Sequence, residues 1–239
     1  MSDVWERSRP LVGDDGVAAL QNSRVIVFGA GGVGGFACEA LARCGVGDLT
    51  IVDGDVVAVS NLNRQLAALH STLGRNKAEV LCERIQDINP GCIAHARPVF
   101  YTKDNWSDWP LDGYDAIVDA VDMVSAKVEL AVRAQAAGVF IVSAMGAGNR
   151  LSPQGFAAGD LYETAGCPLA RVMRRELKRR GVHRLRVVST TRPPAVSAPD
   201  TPGRHPPASM VFAPATAGLL LAHEVVTCLL EKAGAKSVV

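Results

Sequence analysis

The stretch that decides the fold is residues 24–34, which read Arg24-Val25-Ile26-Val27-Phe28-Gly29-Ala30-Gly31-Gly32-Val33-Gly34. The apolar, β-branched run predicts a buried strand, and the glycine-rich turn after it is typical of a strand-to-helix connection. Such glycines let the backbone approach a phosphate group, and the amino terminus of the next helix supplies N–H donors. Asp53, at the end of the next apolar run, would accept hydrogen bonds from a ribose. The pattern predicts a nucleotide site and leaves NAD, FAD and ATP open.

Short apolar runs alternate with helical patterns up to about residue 145. Strands are predicted over 24–28, 49–52, 115–119 and 139–142, and helices over 33–44, 76–88 and 125–137. This alternation predicts an α/β protein with a Rossmann-like, doubly wound, mostly parallel sheet. Beyond residue 145 the patterns indicate short antiparallel pieces over 146–159, a basic helix over 168–180, a strand over 185–188 and an apolar helix over 215–231. We therefore expect antiparallel strands to extend the sheet.

The predicted domain organisation is a single unit over residues 1–239. Its nucleotide-binding half covers residues 1–145, and its substrate-side half covers residues 146–239. Residues 191–209 contain six of the thirteen prolines and show no apolar period, which predicts a flexible, exposed loop long enough to serve as a lid.

Composition narrows the class of protein. Hydrophobic residues make up 48% of the 239 residues, and 25 basic against 24 acidic residues exclude a globally basic nucleic-acid binder but not a local patch. Six cysteines without a CxxC pair predict reduced thiols in a cytoplasmic protein and no zinc site. The charged amino terminus predicts no export signal. The apolar run 211–230 contains Pro214, His223 and Glu224, so it is predicted to be a core helix rather than a membrane span.

Three charged residues downstream of the glycine loop bear on the chemistry. A hydride-transfer enzyme has no need for two cations near its pyrophosphate, whereas an enzyme that breaks the bond between the α- and β-phosphates does. Arg64 and Lys77 fit that role as catalytic residues. Asp122 follows a predicted strand, where one carboxylate and phosphate oxygens could hold Mg²⁺. Each alone could be a surface or helix-terminal residue, but together they favour ATP and Mg²⁺ over NAD.

The order of these motifs resembles the ThiF/MoeB/HesA superfamily of ubiquitin-activating-like enzymes from about residue 7 to residue 230. The motifs are the glycine loop, Asp53-x-Asp55, Asn61-x-Asn63-Arg64-Gln65, Lys77 and Asp119-x-x-Asp122. The resemblance implies a homodimer, with Asp53 on the ribose, Asn61, Arg64 and Lys77 on the phosphates, and Asp122 on magnesium. The whole nucleotide-binding set that it implies is Gly29, Gly31, Gly32, Gly34, Asp53, Asp55, Asn61, Arg64, Gln65 and Lys77.

Within the superfamily, residues 160–161 and 167–170 are most similar to the tRNA threonylcarbamoyladenosine dehydratases. That branch implies ATP-dependent adenylation of the threonyl carboxylate, followed by ring closure with release of AMP. The two CxxC zinc pairs of ThiF and MoeB are absent, and residues 187–191 lack the cysteine that a thioester intermediate needs. Cys167 and Thr191 stand where several relatives have Asp and Glu. These departures put the substrate in doubt rather than the adenylation.

The basic helix favours an RNA partner. Eight of the 25 basic residues lie within residues 171–186, and Arg171, Arg174, Arg175 and Lys178 share one helical face. We expect this face to contact tRNA phosphates, although a solvated helix is the simpler alternative.

Cys167 is either a nucleophile at a helix start or a residue without chemistry. Three other functions remain open: activation of a sulfur-carrier protein with a sulfur-relay partner, an NAD-dependent oxidoreductase, and a non-catalytic nucleotide-binding scaffold.

Overall fold

A computed structural model describes residues 4–196 and 207–235. Seven strands form one sheet in the order β3-β2-β1-β4-β5-β7-β6, and every neighbouring pair is parallel except β6 and β7. The strands are β1 Arg24–Phe28, β2 Asp48–Val52, β3 Ile93–Arg97, β4 Ala116–Asp119, β5 Phe140–Ala144, β6 Phe156–Asp160 and β7 Arg186–Thr190. The prediction of a doubly wound, mostly parallel sheet with an antiparallel extension is confirmed.

Helices cover both faces of the sheet. They are α1 Arg9–Gln21, α2 Gly34–Cys44, α3 Lys77–Ile88, α4 Val124–Ala137, α5 Pro168–Lys178 and α6 Phe212–Lys232. One apolar core lies between the sheet and α2, α3 and α6, with α1 packed on α6, and the other lies beneath α4 and α5. Within β1, Val25 and Val27 enter the first core while Ile26 and Phe28 enter the second. Burial on both faces explains why the strands are apolar throughout.

Two elements, α1 and β3, were not predicted from the sequence. In α1, Gly13 has a φ of 73° and breaks the helical geometry, so no apolar stripe continues across it. Strand β3 lies at the edge of the sheet, with Ile93 exposed and with His95 and Arg97 in its short run. An edge strand with polar residues lacks the continuous apolarity by which the central strands are recognised.

The half after residue 145 needs one correction. Of the short antiparallel pieces predicted over 146–159, one exists: residues 156–159 belong to β6, which pairs antiparallel with β7, whereas residues 146–155 are irregular with turns at 148–149 and 154–155. Residues 191–196 and 207–209 contain no helix or strand, and residues 197–206 of the predicted flexible loop lie outside the described residues. Helix α6 is long and apolar enough to cross a membrane by length and composition, and it packs against α2 and β5 as a core helix.

Candidate active site

A cleft of about 620 Å³ opens at the carboxyl ends of the parallel strands. It lies beside β1, where the order of the strands changes direction: β2 and β3 follow on one side of β1, and β4 and β5 on the other. Such a change of direction is the usual ligand position in these sheets. The cleft is lined by Asp122 and by nine of the ten predicted nucleotide-binding residues: Gly29, Gly31, Gly32, Asp53, Asp55, Asn61, Arg64, Gln65 and Lys77. The tenth, Gly34, lies just behind the wall.

Two of the glycines are required by backbone contacts. Gly29 has a φ of 91°, and a Cβ there would lie 2.7 Å from the carbonyl oxygen of Ala120. At Gly34, a Cβ would lie 1.7 Å from the carbonyl oxygen of Gly29, so no side chain fits at the start of α2. Gly31 and Gly32 line the cleft, and a Cβ at either would meet its neighbours only at van der Waals distances of 3.4 Å or more. The loop therefore offers backbone and the amino terminus of α2 to an anion.

Asp53 holds the glycine loop in place. Its Oδ2 accepts a hydrogen bond of 2.6 Å from the Ala30 N–H, and its Oδ1 accepts one of 2.8 Å from the Asp55 N–H. Burial raises the pKa of Asp53 above its ordinary value, although these two backbone donors and Lys77 act in the opposite direction. The sequence predicts that Asp53 binds a ribose. Its hydrogen bonds in the structure also fix the glycine loop.

Lys77 lies almost wholly buried at the start of α3. Its Nζ is 2.8 Å from Oδ2 of Asp55, on the wall of the cleft. The preceding residue, Asn76, caps α3 through its side-chain oxygen and donates through Nδ2 to the carbonyl oxygens of Asp53 and Asp55. The Asp-x-Asp turn and the helix start are therefore one hydrogen-bonded unit that sets the position of the ammonium group.

Arg64 lines the cleft together with Asn61 and Gln65. Its Nη1 donates to the carbonyl oxygen of Ser60 at 2.7 Å and to Oδ1 of Asn63 at 2.9 Å. Asn61 is buried and accepts the Ala58 N–H. Oε1 of Gln65 is buried without a hydrogen-bond partner in the described part of the chain. An unpaired buried amide oxygen at a cleft is a position where a bound ligand or water would be stabilised.

The two aspartates of the Asp-x-x-Asp motif have different surroundings. Asp122 lines the cleft, whereas Asp119 is fully buried at the end of β4 and pairs with Lys127. Sequence reasoning missed Lys127. The available signal was a lone lysine within the apolar face of a helix, between Ala126 and Val128, eight residues after an aspartate that ends a strand. A lysine in that position needs a buried carboxylate as its partner.

An apolar wall was also missed. Val99, Phe100 and Met123 are partly exposed and line the cleft with Tyr101. The Phe100 ring lies so close to Gly54 that a Cβ there would be 2.6 Å from it. Val99 and Phe100 follow the edge strand β3, so no short-range pattern connects them to the glycine loop. An apolar wall beside a polar floor suits a planar base with attached phosphates.

The four RNA-binding candidates lie outside the cleft on α5, whose second residue, Leu169, lines the cleft. Arg171, Arg175 and Lys178 are exposed. Arg174 differs from these three residues because it is half-buried, and its Nη1 donates to the carbonyl oxygens of Leu161 and Thr164. Hydrogen bonds from Arg180 and Arg175 lower the pKa of Glu176, the acidic residue in this surface.

Cys167 precedes α5 and is 3% exposed. Its sulfur lies against Gly146, where a Cβ would be 3.5 Å away, and it does not line the cleft. The structure therefore does not bring Cys167 together with Arg64, Lys77 and Asp122.

Comparison with known proteins agrees with this geometry. The family model described as "ThiF family" matches residues 6–238. The chain belongs to the ThiF family. It is 36% identical to the tRNA threonylcarbamoyladenosine dehydratase of Bacillus subtilis over 244 residues, covering 97% of this chain and 96% of that protein. The E. coli dehydratase TcdA in complex with ATP has a TM-score of 0.87 and 31% identity, with 98% of both chains covered. A sulfur carrier protein adenylyltransferase of Thermus thermophilus is 40% identical, but over only 47% of this chain and 41% of that protein.

Proposed function

We propose that this chain is an ATP-dependent adenylating enzyme that cyclises N6-threonylcarbamoyladenosine in tRNA with loss of water. The observation that carries the proposal is the convergence of Asp53, Arg64, Lys77 and Asp122 on one cleft. The near full-length similarity to dehydratases, one of them solved with ATP, supports it. An NAD-dependent oxidoreductase would leave Arg64 and Lys77 in this cleft without a role.

The first step is attack of the threonyl carboxylate on the α-phosphorus of ATP. A carboxylate oxygen forms the new P–O bond, the bond to the β-phosphate oxygen breaks, and pyrophosphate leaves. The N–H groups of the glycine loop and the cations of Arg64 and Lys77 stabilise the negative charge on the reacting phosphates. Because Lys77 is held by Asp55 and the helix start, its charge is in place before the reaction begins.

The second step needs no protein nucleophile. The ureido oxygen of the substrate attacks the activated carbonyl carbon, the ring closes, AMP leaves with the former carboxylate oxygen, and a ureido proton is lost. This sequence agrees with the position of Cys167, whose sulfur is buried outside the cleft.

The residues present fit a magnesium ion that is bound chiefly through phosphate. No group of three or more His, Cys, Asp or Glu side chains that could hold a metal occurs within residues 4–196 and 207–235. Asp122 lines the cleft from the loop after β4, and a single carboxylate with phosphate oxygens is a common magnesium site. When bound, Mg²⁺ supplies positive charge to the leaving pyrophosphate, while this chain contributes Asp122 as its ligand.

The second candidate is activation of a sulfur-carrier protein, the activity for which the Thermus relative is named. The exposed Arg171, Arg175 and Lys178 on α5 favour a tRNA substrate instead, because clustered cations on one helix suit a polyanionic partner. We further propose a single-domain chain that works as a homodimer in the cytoplasm.

Pyrophosphate exchange into ATP tests the proposal. The purified protein is offered tRNA bearing threonylcarbamoyladenosine, unmodified tRNA, a sulfur-carrier protein, or no substrate. We expect exchange with the modified tRNA, and a product lighter by one water by mass spectrometry of its nucleosides. Exchange that depends on the carrier protein alone would establish the second candidate. ATP binding without exchange under any condition would leave a scaffold and contradict both.

A further inference from the structure

The rim of the cleft contains a segment, residues 207–210, that is tied to the wall carrying Arg64. Pro207 and Ser209 line the cleft. Pro207 lies against Gly148, where a Cβ would be 2.6 Å from the proline ring, so only glycine allows this approach. The segment therefore closes one side of the site, directly above the turn after β5.

Asn149 anchors the segment at one end. Its N–H donates to the carbonyl oxygen of Ala208 at 2.6 Å, and its Oδ1 accepts the Ala208 N–H at 2.8 Å. Its own carbonyl oxygen accepts the Ala195 N–H at 2.7 Å, so one residue holds chain segments far apart in sequence. Asn149 has a φ of 58°, the one positive value at a non-glycine residue in the described ranges 4–196 and 207–235. Asn tolerates this conformation better than most residues, and the three hydrogen bonds repay its strain.

Asn63 anchors the other end and touches Arg64. Its Nδ2 donates to the carbonyl oxygen of Ser209 at 2.9 Å, while its Oδ1 accepts from Nη1 of Arg64 at 2.9 Å. The Asn63 amide therefore binds the segment through its nitrogen and orients the guanidinium of Arg64 through its oxygen. An unrestrained arginine loses about 2 kcal/mol of rotamer entropy when it is fixed, so a side chain that fixes it in advance lowers that cost.

We infer that Asn63 is a positioning residue that couples the closed rim segment 207–210 to the guanidinium of Arg64. The inference rests on the proposed function only for what Arg64 does to the phosphates. Nε and Nη2 of Arg64 have no hydrogen-bond partner among the residues that the structure describes, so the guanidinium keeps donors for an anion while Nη1 is held. Opening of the segment would remove the partner of Nδ2 of Asn63 and so loosen the amide that orients the guanidinium, which would keep its bond to the Ser60 carbonyl oxygen.

The test compares Asn63→Ala with Asn149→Gly, which keeps the left-handed backbone and removes only the Oδ1 acceptor. We expect Asn63→Ala to lower kcat for pyrophosphate exchange about tenfold, with KM for ATP changed less than about twofold. Asn149→Gly, which does not touch Arg64, is expected to lower kcat about threefold. Asn22→Ala is the matched control, because Asn22 also donates to a backbone carbonyl at the surface but lies at the end of α1.

Two readouts separate positioning from a general structural effect. In an Arg64→Ala background, neither substitution should reduce the residual exchange rate further, because the group that they position is gone. Equal losses in both backgrounds, or no loss in either, would overturn the inference. Hydrogen exchange of residues 207–211 without nucleotide should be faster in both variants than in the wild type and in Asn22→Ala. This second measurement does not depend on activity, so unchanged exchange there refutes the coupling even if the proposed function fails.

Discussion

Nζ of Lys127, a residue that lines the cleft, lies 3.1 Å from Oδ1 of Asp119, and both side chains are buried. Oγ of Ser143 donates to Oδ2 of the same carboxylate at 2.5 Å and accepts from the lysine at 3.2 Å. This pair connects the end of β4, the start of α4 and the end of β5. Because Asp122 stands three residues after Asp119, the ion pair fixes the base of the loop that carries it.

Removal of the Lys127 ammonium group should therefore lower the free energy of unfolding, and not only the rate of the reaction. Lys127→Met leaves a buried, uncompensated carboxylate, and we expect the free energy of unfolding in urea to fall by about 3–5 kcal/mol. The double variant Lys127→Met/Asp119→Leu should lose clearly less than the sum of the two single variants, because it removes both charges. Additive losses would contradict an interacting pair.

The first half of the chain could be predicted from sequence because its signals are local. The run 24–34 specifies β1, the turn and the start of α2 within eleven residues, and the structure places β1 at the predicted bounds. Asp119 and Asp122 look alike in sequence, yet only the partner on α4 shows that the first is structural. Phe100 and Ser209 reach the cleft from segments far from the glycine loop in sequence. Their places in the cleft depend on tertiary packing, which the spacing of residues along the sequence does not reveal.

Arg64→Ala and Asp122→Ala should each abolish most adenylate formation while the protein stays folded. Both side chains are at the cleft surface rather than in the core, and loss of one charge-stabilising group typically costs about two to three orders of magnitude in rate. Pyrophosphate exchange measures the rate, and circular dichroism with thermal melting checks the fold. Wild-type turnover in either variant would remove that residue from the mechanism.

Glu39 gives a pH-dependent prediction. Burial alone would raise its pKa, but hydrogen bonds from Arg84 and Arg43 outweigh burial and hold the pKa below its ordinary 4.5. A lowered pKa in the folded state stabilises the protein above the unfolded pKa, and that stability is lost as the pH falls through the folded pKa. Glu39→Gln should lower the free energy of unfolding at neutral pH by roughly 1.5 kcal/mol. The difference from wild type should shrink below pH 4.5 in urea titrations; a constant difference would refute the linkage.

Cys167→Ser should keep its dehydratase activity. The thiol is buried outside the cleft, and serine is a favourable residue before a helix that begins with proline. Conversion of the modified tRNA, followed by mass spectrometry, provides the measurement. Loss of conversion together with a thioester trapped on the wild-type protein would show that Cys167 is a nucleophile and would support the sulfur-carrier alternative.

The last prediction concerns the exposed surface of α5, which distinguishes a tRNA enzyme from an activator of a protein tail. Each phosphate contact by Arg171, Arg175 or Lys178 releases condensed counterions, so tRNA affinity should fall steeply with salt. For loop RNA the slope is about 0.7 per contact, and Arg171→Gln/Lys178→Gln should therefore lower it by roughly 1 to 1.5. ATP affinity should not change, because neither side chain lines the cleft.

The matched control removes two charges at the opposite edge of the sheet. Arg24 begins β1, and Lys232 donates to the carbonyl oxygen of Asp115 just before β4, so both lie at the amino ends of the parallel strands. Arg24→Gln/Lys232→Gln changes the net charge as much as the α5 variant does, and we expect it to leave the salt slope of tRNA binding within about 0.3 of wild type. Equal changes in both variants would mean that total charge, rather than the α5 surface, attracts the RNA. An unaltered slope in the α5 variant with normal tRNA turnover would show that its cations face only solvent.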